Sequence, residues 1–366
     1  MEMKPDLRSL SLKELKEVME QLNEKSFRAV QVYEWLHKKQ AQGIDEMTNL
    51  STALREKLKN RYELYNLEPV KVLEDSEDGT FKYLFGTIDG NVIESVFMSY
   101  EHGYSVCISS QIGCRMGCRF CASTIDGRVR DLTAGEMLEQ VYMMQRLQNT
   151  GMNKEKSDAG SKDMPLLKRI SNVVVMGSGE PFDNFDNFVR FYEMLTDEKG
   201  INISGRNVTV STCGLTEKIR ELADRQFALT LAISLHAPND ELRRTIMPIA
   251  VKYPIKEIIS ACDYFFEKTG RRITFEYSLM SGINDSQECA GELAVLLGKR
   301  NCHVNLIPVN PVKERDFKRT GEKDITSFKK LLEKNKINVT IRRGLGKNID
   351  AACGQLRRSY MENKKG

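Results

Sequence analysis

Apolar positions in the first sixty or so residues recur at helical spacing. Leu12, Leu15, Val18, Met19 and Leu22 form one stripe, opened by Ser11 and Glu14 at the spacing of a capping box. A second helix is predicted over 30–37 around Trp35 and Leu36, and a third from Leu50, Leu54 and Leu58. The period then changes. Strand-like runs at 83–88 and 92–98 flank Asp89-Gly90-Asn91, a hairpin-turn sequence. From about residue 104, apolar runs at 105–109, 172–176, 207–211, 229–235, 273–280, 303–309 and 338–342 have helical stretches between several of them. The clearest helix opens on the capping box Thr133 to Glu136 and continues through Leu138, Val141 and Met144. Such alternation predicts an α/β fold with a parallel sheet, whose ligand sites lie at the carboxyl ends of the strands. The expected organisation is a helical accessory domain over 1–65, a β-hairpin extension over 66–103, the α/β part over 104–356 and a basic tail over 357–366. The polar stretch 151–169 reads as a surface insertion.

Composition narrows this. With 40% hydrophobic and 29% charged residues, the 366-residue chain belongs to the globular class and not to the disordered one. It has no apolar run of membrane-spanning length, and the opening Met1-Glu2-Met3-Lys4-Pro5-Asp6 lacks the apolar stretch of a signal peptide. A cytoplasmic protein without a membrane partner is expected. Nine cysteines, an odd number grouped at motif positions, suit metal or redox chemistry in a reducing compartment better than a disulfide scaffold. A net charge of +4 is too small to argue for nucleic acid by itself. The basic runs at 313–323 and at Arg357, Arg358, Lys364 and Lys365 are either solvated surface or phosphate contacts.

Chemistry concentrates in Gly113-Cys114-Arg115-Met116-Gly117-Cys118-Arg119-Phe120-Cys121. Three thiols within eight residues suit an iron–sulfur cluster, and no fourth cysteine follows at matching spacing. Three protein ligands leave one metal position open, as catalytic metals require. The competing reading is a buried helical stripe, which Gly113, Gly117 and the two arginines make a poor helix. Gly177-Ser178-Gly179-Glu180 follows an apolar strand, and a carboxylate there can accept from a ligand amine. Ser211, Ser234, His236 and Asn310 each follow an apolar strand as well, where strand-end caps and ligand contacts look alike. Glu94 lies within the second hairpin strand, facing either solvent or a site.

The triplet resembles the signature of radical S-adenosylmethionine (SAM) enzymes. Longer runs resemble the RlmN family within that superfamily: Cys107-Ile108-Ser109-Ser110-Gln111-Ile112-Gly113-Cys114, Met176-Gly177-Ser178-Gly179-Glu180-Pro181, Ser234-Leu235-His236-Ala237-Pro238 and Asp350-Ala351-Ala352-Cys353-Gly354-Gln355-Leu356. The resemblance implies an incomplete (β/α)6 barrel, an accessory domain that helps hold RNA, and a [4Fe–4S] cluster on Cys114, Cys118 and Cys121. It implies SAM contacts from Gly179, Glu180, Ser211, Ser234, Leu235, His236 and Asn310. It further implies that Cys353 becomes S-methylated, that Cys107 resolves it by forming a disulfide, and that Glu94 is a proton acceptor. Family substrates are an adenosine in the peptidyl-transferase centre of 23S rRNA and one beside the anticodon in tRNA, each methylated at carbon 2. A flavodoxin-type electron donor and a monomer are the accompanying expectations. Chemistry gives the covalent carrier a reason: adenine carbon 2 is electrophilic and cannot take a methyl group from a sulfonium directly, whereas a thiolate can. Two rival readings are a Cfr-type enzyme acting at carbon 8 and a non-catalytic RNA-binding module holding a structural metal.

Overall fold

Each segment with a strong period becomes the predicted element. The computed structural model describes residues 4–100, 103–150, 169–342, 344, 349 and 354–363. The chain opens with α1 (Leu12–Gln21), α2 (Phe27–His37) and α3 (Thr52–Arg61). Ser11 and Glu14 cap α1 reciprocally: the Glu14 N–H donates to Ser11 Oγ at 3.3 Å and the Ser11 N–H donates to Glu14 Oε2 at 2.8 Å. The apolar faces of these helices join the same continuous core as the sheet that follows. The junction also holds a buried ion pair, Arg8 to Glu139 at 3.0 Å, and a hydrogen bond at 2.9 Å between His37 Nδ1 and the Tyr142 hydroxyl.

Four antiparallel neighbours come next: β1 (Glu68–Asp75), β2 (Thr80–Gly86), β3 (Val92–Tyr100) and β4 (Gly103–Ile108). The expected hairpin is β2–β3, with Gly90 at φ +77° in its turn. Strand β1 carried no sequence signal because neither of its faces is buried; Val70 and Val72 stand exposed on this outermost strand. A two-stranded sheet, β5 (Gln111–Gly113) with β6 (Arg128–Asp131), brackets the cysteine loop.

Thereafter strands and helices alternate: α4 (Ala134–Thr150), β7 (Ile170–Val175), α5 (Phe185–Thr196), β8 (Val208–Thr212), α6 (Thr216–Asp224), β9 (Thr230–Ser234), α7 (Asp240–Ile246), α8 (Ile255–Thr269), β10 (Ile273–Leu279), α9 (Gln287–Leu297), β11 (Cys302–Pro308), α10 (Glu322–Lys334) and β12 (Asn338–Ile341). The sheet order β1-β2-β3-β4-β7-β8-β9-β10-β11-β12 follows the chain order, and β4 through β12 are parallel. Every crossover steps to the adjacent strand in one direction, which winds the parallel part as an open barrel wall with its carboxyl ends on one rim. Six strand–helix units are followed by the additional strand β12.

One expectation changes. Arg357 and Arg358 do not sit in a solvated tail but in α11 (Gln355–Asn363), where Arg357 is buried and Arg358 pairs with Glu314 at 3.2 Å. Leu356 supplies the reason, packing with Leu84 and Val92 in a small apolar cluster on the antiparallel strands. The stretch 151–169, apart from Arg169, lies outside the described residues. No helix among the described residues is long and apolar enough to cross a membrane.

Candidate active site

From Cys114 to Cys121 the chain makes a loop and not a helix, because Gly113 (φ +74°) and Gly117 (φ +77°) take left-handed backbone. A Cβ on Gly113 would lie 2.0 Å from the Gly127 carbonyl oxygen, so only glycine fits there. The loop is pinned by the Cys114 N–H on the Gly127 carbonyl (3.1 Å), the Arg119 N–H on the Ile246 carbonyl (2.9 Å), and Thr124 Oγ1 donating to the Cys118 (2.8 Å) and Cys121 (2.9 Å) carbonyls. Cys114, Cys118 and Cys121 thereby border one cavity of about 260 Å³.

Strand ends build the rest of that cavity. Gly177, Gly179 and Glu180 come from the turn after β7, Ser211, Thr212 and Cys213 from the end of β8, Ser234 and His236 from β9, and Glu276 and Ser278 from β10. The glycines serve the protein's own packing first. A Cβ on Gly179 (φ +108°) would meet the Gln111 nitrogen at 2.7 Å, and one on Gly177 would meet the Ile108 carbonyl oxygen at 2.7 Å. Those contacts tie the turn to the segment that leads into the cysteine loop. Glu180 is buried, accepting from the Phe182 N–H at 3.0 Å and the Cys213 N–H at 2.8 Å. Burial raises its carboxyl above the usual range, and these backbone donors pull it back down.

The hydroxyls of Ser211 and Ser234 hydrogen-bond to each other at 3.2 Å. His236 has φ +58°, a backbone held by Asn284 Nδ2 donating to the His236 carbonyl at 2.8 Å. Its Nδ1 accepts from the Ser278 N–H at 2.9 Å, so the proton of the neutral ring sits on Nε2. Burial, reinforced by the nearby Arg243 charge, lowers the ring to about 3 and keeps it neutral. Leu235 turns away: it is fully buried and borders neither this cavity nor its neighbour.

A second cavity of about 400 Å³ adjoins the first, sharing Phe120, Cys121, Ser278, Ile307 and Arg342. Cys107 and Asn310 border this larger space. Glu94 borders neither cavity; it pairs with Lys82 at 3.0 Å inside the antiparallel strands. Cys353 lies outside the described residues, and its chain neighbour Gly354 packs against Ala122 and Ser123, directly after the cluster loop.

Several residues were not legible as site residues. Cys213 borders the cluster cavity. Glu276 is buried there too, with Asn305 Nδ2 donating to its Oε2 at 2.9 Å. Arg243 lies beneath, fully buried, donating to the carbonyls of Cys213, Ser234, Leu235 and Tyr253.

The donor set fits an iron–sulfur cluster. Burial pushes the Cys114 thiol up to about 12 and the Cys118 thiol well above its usual range, so thiolates there need a compensating cation. Among the described residues no group of three His, Cys, Asp or Glu converges as on a single metal ion. The three thiols border one cavity.

Comparison with known proteins agrees. The chain is 59% identical over 358 residues, 98% of its length and 97% of the relative's, to a Lachnospira eligens protein named "Probable dual-specificity RNA methyltransferase RlmN". The chain belongs to the RlmN family. A Clostridium perfringens protein of the same name is 52% identical over 354 residues, 97% of each chain. Residues 5–64 match the family described as "Ribosomal RNA large subunit methyltransferase N-terminal domain", and residues 162–290 match the radical SAM superfamily. The cysteine triplet precedes the second match. A crystal structure of a radical SAM methyltransferase from Sphaerobacter thermophilus superposes with TM-score 0.87 at 41% identity, over 96% of this chain and 98% of that one. The protein is thus an RNA methyltransferase that uses a [4Fe–4S] cluster and SAM.

Proposed function

We propose that this enzyme methylates carbon 2 of adenosine in 23S rRNA and in tRNA, with Cys353 as the covalent carrier of the methyl carbon and Cys107 as its resolving partner. Two adjoining cavities carry the reading. The smaller is ringed by the three thiols and the strand-end motifs, and the larger holds Cys107 and shares Cys121 with it.

Cys114, Cys118 and Cys121 would hold the cluster, and Gly179, Glu180, Ser211, Ser234 and His236 would contact SAM. When bound, cluster and SAM supply a one-electron reduction and a hydrogen-abstracting radical. Neutral His236 offers an Nε2–H donor without placing a second cation beside a sulfonium. The larger cavity receives the flipped base, since carbon 2 is out of reach in a stacked helix. The Cys353 thiolate would take a methyl group from one SAM, which leaves as S-adenosylhomocysteine; that methyl group would lose one hydrogen atom to the radical a second SAM supplies, and its carbon would then bond to the base. Once the ring proton and the unpaired electron have left, the electron to a redox group, attack by the Cys107 thiolate on the Cys353 sulfur would break the carbon–sulfur bond, leaving a Cys107–Cys353 disulfide, and the released carbon would take a proton to become the methyl group. Two-electron reduction of that disulfide resets the pair. A flavodoxin-type donor, a monomeric state and a cytoplasmic location complete the proposal.

The test is anaerobic incubation of the reconstituted enzyme with SAM, reductant and unmodified 23S rRNA fragment or tRNA, followed by nucleoside mass spectrometry against standards. The expected product is 2-methyladenosine. A methyl group at carbon 8 would place the enzyme with the Cfr type, and SAM cleavage without methylated RNA would refute the substrate.

A further inference from the structure

Helix α4 presents a polar stripe to the amino-terminal helical domain. Gly135, Glu139, Tyr142 and Arg146 recur at helical spacing, and each meets a residue of the segment 8–40. The Gly135 N–H donates to Ser9 Oγ at 3.0 Å, and Glu139 pairs with Arg8 at 3.0 Å. The Tyr142 hydroxyl bonds to His37 Nδ1 at 2.9 Å, and Arg146 Nη1 donates to the Gln40 carbonyl at 3.3 Å. Arg8 is the centre of this seam. Fully buried, it also donates to the Tyr65 carbonyl at 2.9 Å, to Asn66 Oδ1 at 2.9 Å and to the Ala41 carbonyl at 3.2 Å. It thereby ties α4 to the turn after α2 and to the residues that lead into β1. The neighbouring face of α4 holds the framework of the cysteine loop. Gln140 Oε1 accepts from the Ser109 N–H at 2.8 Å, its Nε2 donates to the Ser109 carbonyl at 3.0 Å, and Glu136 pairs with Arg130 of β6 at 2.7 Å. Ser109 Oγ in turn accepts from the Ser178 N–H at 3.0 Å, in the turn that carries Gly179 and Glu180. One helix is thus bonded to the amino-terminal domain along one stripe and to the flanks of the site along the next.

We infer that this stripe, centred on Arg8 and Glu139, is a positioning seam: it holds the amino-terminal domain at one attitude to the site, so that RNA gripped by both meets the cavities in register. Hydrophobic burial is non-directional and an apolar seam stays favourable as it slides, whereas buried polar partners are satisfied in one arrangement only. The role rests on the proposed RNA substrate and on the amino-terminal domain helping to hold it. Helix α2 suits that task, with Phe27 half exposed, Arg28 over its ring, and Lys39 lying 3.5 Å over the ring of Trp35.

Full-length wild type is compared with Arg8→Met/Glu139→Leu, which replaces both buried charges by apolar side chains; Arg146, partly exposed, keeps its bond to Gln40. Trp35, the single tryptophan of the chain, lies in α2 and reports the motion of the amino-terminal domain by time-resolved fluorescence anisotropy. Iron content, melting temperature and SAM cleavage without RNA should match wild type. The anisotropy decay should gain a nanosecond component that wild type lacks. KM for unmodified tRNA should rise about tenfold with kcat little changed, since a loosened domain must be ordered on binding. Should this variant lose iron or melt early, His37→Phe/Tyr142→Phe removes another pair of the same stripe and should move anisotropy and KM in the same direction. Unchanged anisotropy or an unchanged KM in a folded variant would overturn the role. A fall in SAM cleavage that matches the fall in RNA methylation would show the seam to be merely structural and overturn it too. Wild type that methylates neither tRNA nor a 23S rRNA fragment would instead overturn the substrate reading, and this role with it.

Discussion

Replacing Arg243 by methionine removes a guanidinium that is fully buried and donates to four carbonyls: Cys213 at 2.7 Å, Tyr253 at 3.0 Å, Leu235 at 3.1 Å and Ser234 at 3.3 Å. These carbonyls belong to the ends of β8 and β9 and to the segment before α8, so the arginine ties together the strand ends that present Ser211, Ser234 and His236. Hydrogen bonds from a charged donor contribute about 1.5–3 kcal/mol each, and four summed naively give roughly 6–12 kcal/mol. Desolvation of the guanidinium, which already lowers its pKa, offsets part of that sum. The carbonyls left behind lose their partners in a closed space, as when one member of a buried polar pair is deleted. A net loss of about 3–5 kcal/mol follows. Urea unfolding of full-length protein measures it, with the midpoint falling and the slope unchanged. Binding of SAM to the folded variant should weaken about tenfold. Arg243→Lys, with a compact ammonium that cannot span four acceptors, should fall between the two. A loss below about 1 kcal/mol with unchanged SAM affinity would refute the idea that this residue organises the strand ends.

Other outcomes follow from the same geometry. His37 and His236 are both lowered from 6.5 to about 3, chiefly by burial and secondarily by an arginine, so the folded state binds fewer protons than the unfolded one. Stability from this source is complete above pH 6.5 and lost as pH falls toward 3, with a slope of up to about 2.7 kcal/mol per pH unit for the pair; a stability flat across that window would contradict the assigned neutral rings. Gly179→Ala forces a side chain onto φ +108° and against Gln111, which should cost about 1–3 kcal/mol in melting experiments and reduce SAM binding. Cys118→Ala should lower iron per protein after reconstitution to near background while leaving the circular dichroism of the sheet unchanged; retained iron would mean a different ligand set.

The sequence showed the fold wherever one face of an element is buried. The stripe on α1, the capping boxes at Ser11 and Thr133 and all seven parallel strands were readable, the strands as apolar runs that are largely buried in all but β12. Strand β1 was not, since both its faces meet solvent and its place depends on pairing with β2. Nor was α11, whose start is fixed by Glu94, a residue distant in sequence. In the site, the motifs located the thiols, the Gly179–Glu180 turn and the strand-end serines, but they carried no information on what supports them. Arg243 and Glu276 resemble any surface arginine or strand glutamate until the barrel closes over them. A Cβ on Gly177 or Gly179 would meet the protein's own Ile108–Gln111 segment.

The covalent route is tested most directly by following one carbon atom. Enzyme carrying a ¹³C-methyl group on Cys353 is mixed anaerobically with unmodified tRNA, reductant and unlabelled SAM, and the first-turnover nucleosides are analysed by mass spectrometry. The account predicts that the methyl carbon appearing at carbon 2 of adenosine is ¹³C and that the Cys353 peptide loses its label in equal amount. An unlabelled methyl group on the base, with ¹³C still on Cys353, would contradict it.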